Sequence, residues 1–141
     1  MLKWKLLAAV GVSCGFVGVA WGFAQPPSEP GFFELRIYTT LPGQRDALAA
    51  RFGDYTTKIY ERHGIRNVGY WLAASGENAD RTFVYLRGYP SRQARDERLR
   101  AAHADPEFAE VVTTMERNPD TRLIESVRSV DLIPTDYSAI R

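Results

Sequence analysis

What most restricts the fold of this chain is the order in which its apolar spacing changes. From Phe32 to Thr40 the pattern repeats every second residue: Phe33, Leu35 and Ile37 point one way, and Glu34, Arg36 and Tyr38 the other. Pro42-Gly43 turns the chain. Leu48, Phe52, Tyr55 and Ile59 then follow at spacings of four, three and four, which predicts an amphipathic helix from Gln44 to His63. Gly64 stands where a left-handed residue would end it. Alternation returns from Ile65 to Ala74, with Val68, Tyr70 and Leu72 opposite Gly69 and Trp71. After the turn Ser75-Gly76-Glu77-Asn78 it resumes from Arg81 to Tyr89 and makes a hairpin. There Val84 and Leu86 oppose Phe83, Tyr85, Arg87 and Tyr89.

Ser91 is the expected N-cap of a charged helix through Ala102. Asp105-Pro106-Glu107 restarts a helix, with an acid as cap, proline at the first position and an acid in the first turn. Phe108, Val111, Val112 and Met115 form its apolar stripe, and Asn118-Pro119-Asp120 stops it. Arg122 to Ile133 reads as the last strand. The order β-α-β-β-α-β specifies an α+β, ferredoxin-like domain: a four-stranded antiparallel sheet with two helices on one face. The helix-free face is expected to carry Tyr38, Trp71, Phe83, Tyr85 and Tyr89 among Glu34, Arg36 and Arg87. A face so rich in rings calls for a cover, and a second copy stacked sheet to sheet would close a barrel through a self-complementary interface.

The N-terminus reads as an address. Lys3 and Lys5 precede 19 uncharged residues, Leu6 to Ala24, and Gly22 and Ala24 set small side chains before a cut at Gln25. Residues 1–24 are therefore read as a signal peptide, 25–31 as a Pro-rich linker and 32–138 as the domain. The expected location is periplasmic or secreted. The alternative is a retained anchor, since 19 residues at 1.5 Å each span about 28 Å; the domain would then lie outside the membrane that holds it. The single cysteine, Cys14, lies in the apolar run, so a processed domain offers no disulfide and no thiolate. Loss of Lys3 and Lys5 from the chain's 18 basic residues leaves 16 against 17 acidic. A balance so near neutral gives no reason to expect nucleic acid as a partner.

The candidate ligand-binding residues are Arg36, Tyr38, Trp71, Tyr85 and Arg87, with His63 at the mouth. Two guanidiniums among rings suit an anionic or planar ligand, since the guanidinium fork matches a carboxylate. The same residues also suit a dimer seam, with Glu34 and Glu125 pairing the arginines. His63 falls where a cation favours a helix C-terminus, and His103 reads as a surface residue. Two histidines and scattered carboxylates make no metal-ligand spacing, and nothing in the pattern calls for a cofactor. Arg92, Arg95, Arg98 and Arg100 with Asp96 and Glu97 read as a solvated helix face.

Phe33-Glu34-Leu35-Arg36-Ile37-Tyr38-Thr39, Pro42-Gly43, His63-Gly64-Ile65, Gly69-Tyr70-Trp71, Asp105-Pro106-Glu107-Phe108 and Pro134-Thr135-Asp136-Tyr137-Ser138 follow one another as in the NIPSNAP family, which the chain resembles over roughly 32–138. The resemblance implies a dimeric α+β barrel and no particular reaction. The expected function is an extracytoplasmic homodimer that binds a small apolar or anionic molecule. Alternatives are a cofactor-independent monooxygenase- or isomerase-like enzyme, with Glu34 or His63 as its base, and a protein-interaction module. No catalytic residue is assigned.

Overall fold

The computed structural model of the protein describes residues 31–117 and 121–141. The expected signal segment 1–24, nearly all of the linker, and the helix stop at Asn118-Pro119-Asp120 lie outside the described residues. Among the described residues no helix is long and apolar enough to cross a membrane.

The strands are β1 (Phe32–Thr40), β2 (Arg66–Leu72), β3 (Thr82–Tyr89) and β4 (Ile124–Leu132). They form one antiparallel sheet in the order β2-β3-β1-β4. Between β1 and β2 run α1 (Arg45–Arg51) and α2 (Thr57–Arg62), joined without a break by a π-turn at Phe52–Thr56. Between β3 and β4 come α3 (Arg92–His103), α4 (Pro106–Val112) and a second π-turn at Thr113–Arg117. This is the α+β, ferredoxin-like arrangement with its helices on one face.

Local chemistry sets the element ends. Ser91 caps α3 by accepting the Ala94 N–H at 3.1 Å. Asp105 caps α4 by accepting from Glu107 N–H at 3.0 Å, with Pro106 at the first helical position. Gly64 has φ +70°, the left-handed conformation that ends α2. The Gly64 and Ile65 N–H groups donate back to the Glu61 and Tyr60 carbonyls.

The first helix departs from the even stripe read in the sequence. Leu48, Phe52 and Ile59 are buried as expected, but Tyr55 is 38% exposed. A π-turn takes one extra residue into the turn, which shifts the inward face beyond Phe52. Thr56 and Tyr60 point inward instead.

In β1 and β3 the two faces are the reverse of the expectation, whereas β2 follows it, with Tyr70 toward the helices and Trp71 away from them. Tyr38, Phe83, Tyr85 and Tyr89 belong to the core cluster that holds Leu48, Phe52, Ile59 and Tyr60 from the first helix. Glu34 and Arg87 share that helix-covered side and are buried as a pair. By strand alternation, the helix-free face carries Phe33, Leu35, Ile37, Val84 and Leu86, with Val130 and Leu132 of β4 beside them. Around Phe33, Leu86 and Leu132 this face borders a hollow of about 270 Å³ that the C-terminal segment also lines, through Pro134, Thr135, Ser138 and Ile140. Trp71 lies on this side too, across from Val84, and is 51% exposed. Its ring folds over Gly69, where an added Cβ would lie 2.6 Å from it.

Candidate functional site

A cavity of about 430 Å³ opens between the sheet and the helices of this chain. Strand β1 supplies Glu34, Arg36 and Tyr38 to its floor, and β3 supplies Arg87. These alternate residues share one side of the sheet, so two-residue spacing alone brings them together. The first helix adds Arg51 and Tyr60 as a wall. The roof comes from α3 and α4, through Leu99, His103, Phe108 and Val112.

The floor is organised around one ion pair. Glu34 and Arg87 are directly opposite in the β1–β3 register. Arg87 Nε and Nη2 both donate to Glu34 Oε2, at 2.9 and 2.7 Å. The Arg87 guanidinium also lies 5.1 Å from the Tyr60 ring centre and 5.6 Å from that of Tyr85. Arg36 sits beside the pair. Its Nη1 reaches Glu34 Oε1 only at 3.5 Å. Its Nη2 donates to the Tyr38 hydroxyl at 3.1 Å, and Nη1 donates to the Ser129 hydroxyl. The Tyr38 and Tyr85 hydroxyls are 3.4 Å apart and their rings stack at 5.7 Å.

This setting shifts protonation. Burial pushes the Tyr85 phenol well above its usual range, reinforced by Tyr60 and Tyr38, so it stays a neutral donor or acceptor. On the roof, the His103 ring stacks on Phe108 at 5.1 Å. His103 is exposed, as expected, but the partial burial of its ring lowers its pKa, and the cationic Arg87 and Arg36 lower it further, so the imidazole is largely neutral at pH 7.

Of the residues chosen from sequence, Arg36, Tyr38 and Arg87 line the cavity, and Tyr85 lies directly beneath it, bonded to Tyr38. They do so under the helices of their own chain, not on the helix-free face. Trp71 is on the opposite side of the sheet, because the strand that carries it alternates Tyr70 inward and Trp71 outward. His63 is not a lining residue. Its Nε2 is 2.9 Å from Asp105 Oδ2, to which Arg62 also donates at 3.0 Å. Arg62 reaches Glu107 at 2.7 Å as well. The end of α2 is thereby clasped to the start of α4, whose Phe108 and Val112 form the roof. Glu125 pairs with Arg81 at 2.7 Å, away from Arg36 and Arg87. Arg95, read as part of a solvated face, reaches the cavity wall.

Sequence reading missed Arg51, Tyr60 and the roof. Arg51 did leave a signal: a charged residue three places after Leu48, within the apolar stripe, is a buried cation. Among the described residues no cluster of His, Cys, Asp and Glu is arranged to hold a metal ion.

The family model named NIPSNAP matches residues 33–139. Among solved structures, a NIPSNAP-like domain protein from Burkholderia xenovorans is 26% identical, with a TM-score of 0.65, and the match covers 76% of this chain and 87% of that one. A NIPSNAP family protein from Agrobacterium tumefaciens is 23% identical, with a TM-score of 0.68 and coverage of 81% and 96%. A monooxygenase from Streptomyces coelicolor, solved in complex with nanaomycin D, is 19% identical, with a TM-score of 0.57 and coverage of 79% and 92%. Comparison with curated proteins finds no match.

Proposed function

The chain belongs to the NIPSNAP family, and from that premise we propose that it is an exported homodimer in which each subunit binds a small apolar or anionic molecule between its sheet and its helices. The observation that carries this reading is the cavity itself. Its volume of about 430 Å³ falls in the range of small-molecule sites. A few fixed polar groups at its floor face apolar side chains at its roof, the division of labour such sites use. Pairing through the helix-free face leaves both cavities intact, because they lie on the other side of each sheet. Export rests on the N-terminal pattern of residues 1–24.

A ligand screen by thermal shift tests the binding role. Stabilising compounds should lose their effect in Val112→Phe, which fills the roof. If no compound stabilises the wild type, or Val112→Phe responds equally, the cavity is not a binding site. Native mass spectrometry of protein from its own host reads stoichiometry and retained ligand together. N-terminal sequencing of extracytoplasmic material should begin near Gln25, and an intact Met1 there would favour the anchor.

A second reading, a cofactor-independent enzyme, is favoured by His103. Glu34 is occupied by Arg87 and His63 by Asp105, whereas His103 presents a neutral imidazole to the cavity, as a general base requires. The fold likeness to the Streptomyces monooxygenase agrees with it. Turnover of a bound compound by wild type, and its loss in His103→Gln with binding retained, would select this reading over simple binding.

A further inference from the structure

We propose that the molecule taken up by this cavity is a small organic anion with a flat apolar body, its acidic group held by Arg36. The inference rests on the binding role above and narrows its ligand. Glu34 and Arg87 cancel one another: two short bonds join them, and each side chain is 3% exposed. Arg36 has no such partner. Its nearest carboxylate oxygen is 3.5 Å away and belongs to the glutamate that Arg87 already holds. Its closer contacts are neutral hydroxyls, those of Tyr38 and Ser129. Its Nε is shielded from solvent and makes no hydrogen bond.

A guanidinium cannot shed its proton to escape this setting. It therefore brings a positive charge to the cavity that its neighbours do not offset. Glu34 is the only carboxylate among the described lining residues and is already held by Arg87, while Arg95 is paired with Asp96 and Asp131, so Arg36 sets the cationic character of the floor. A cationic floor of this kind repels metal ions and amines and attracts an anion. The planar fork favours a planar carboxylate, and the Tyr38 hydroxyl beside it can donate to a second oxygen.

The roof sets the rest of the ligand. Leu99, Phe108 and Val112 offer no hydrogen bond, and the Phe108 ring stacks with both Tyr60 and His103. A flat hydrocarbon body gains from stacking there, whereas a sugar or a polyphosphate would leave its polar groups unpaired.

The test uses 2-naphthoate and its neutral isostere 2-naphthamide, titrated calorimetrically into the purified protein. Naphthoate should bind about tenfold tighter than the amide, the scale of one charged hydrogen bond. In Arg36→Gln that preference should fall to less than about threefold, and Arg36→Lys should restore part of it. Circular dichroism confirms that each variant is folded, and the comparison in wild type needs no variant. Equal binding of acid and amide by wild type overturns the anion inference and leaves the cavity as a binding site. Failure of both to bind at millimolar concentration overturns the inference and counts against the cavity as well. A preference undiminished in folded Arg36→Gln overturns the assignment to Arg36.

Discussion

Glu34 and Arg87 face each other across adjacent strands and form an ion pair at 2.7 Å beneath the helices, both side chains 3% exposed. Such a pair is not in itself a source of stability, because taking both charges out of water offsets their attraction. Its loss by halves is another matter. Arg87→Ala leaves a buried carboxylate, and Glu34→Ala leaves a buried guanidinium beside Arg36. Each should cost about 3–5 kcal/mol. The joint Glu34→Ala, Arg87→Ala replacement should cost much less than the sum of the two single changes. Urea denaturation of the four proteins closes the cycle, and additive losses would show that the two charges do not act as a pair.

The clasp at Asp105 makes a pH prediction. His63, then Arg62, and then the capped Glu107 N–H hold the Asp105 carboxyl well below its ordinary value of 3.8. A depressed folded-state pKa means that the unfolded chain takes up the proton first as pH falls. The carboxylate's contribution is therefore complete above about pH 4 and fades below it. Asp105→Asn keeps much of the capping shape but loses the charge. Its melting temperature should lie below that of wild type at pH 7, and the gap should narrow by pH 3. A gap that is constant from pH 7 to pH 3 would mean that the charge is irrelevant and only the shape of the cap counts.

The first helix separates two residues that its sequence treats alike. Tyr55 and Ile59 both fall on the apolar stripe, yet the π-turn at Phe52–Thr56 leaves Tyr55 exposed while Ile59 is fully buried. Tyr55→Lys should change stability by no more than about 0.5 kcal/mol. Ile59→Ala should cost about 2–5 kcal/mol. Chemical denaturation of both variants checks the difference. Equal losses would mean that Tyr55 is packed and that the helix runs as a regular α-helix through this turn.

The same helix shows how far sequence could go. Element order, caps and the glycine stop were legible because each depends on a few neighbouring residues: Ser91, Asp105-Pro106 and Gly64 act locally. The assignment of faces was not, because it depends on which side of the sheet the helices take. In β1 one side reads Phe33, Leu35, Ile37 and the other Glu34, Arg36, Tyr38, and hydropathy alone sends the first set under the helices. The charged set goes there instead, since Glu34 finds Arg87 across the strand and neither charge is left unpaired. That pairing joins residues 53 positions apart. Arg36, Tyr38, Tyr85 and Arg87 were thus recognised as a group but placed on the wrong side of the sheet. Trp71 does lie on the helix-free face that the alternation of β2 assigns it, and it is parted from the group because the other four face the helices. The register between Asn67 and Gly69 is shifted by an irregularity in β2, which no spacing in that segment announces.

Placing the charged set under the helices turns the aliphatic set outward, and this yields the last prediction. Leu35 lies between Leu86 and Val130 at the middle of the helix-free face. Ile37 and Val84 continue the patch toward the exposed Trp71. A contiguous aliphatic surface of this kind on a small domain favours a partner, and a second copy offers the same patch in return. Leu35→Arg puts a charge at the centre of that contact on both subunits at once, where each is desolvated and faces its like. The variant should run as a monomer in sedimentation velocity at micromolar concentration, while wild type runs as a dimer. Its cavity lies on the other side of the sheet, so any ligand-dependent thermal shift should persist in the monomer. A wild type that sediments as a monomer, or a Leu35→Arg variant that remains dimeric, would remove this face from the interface.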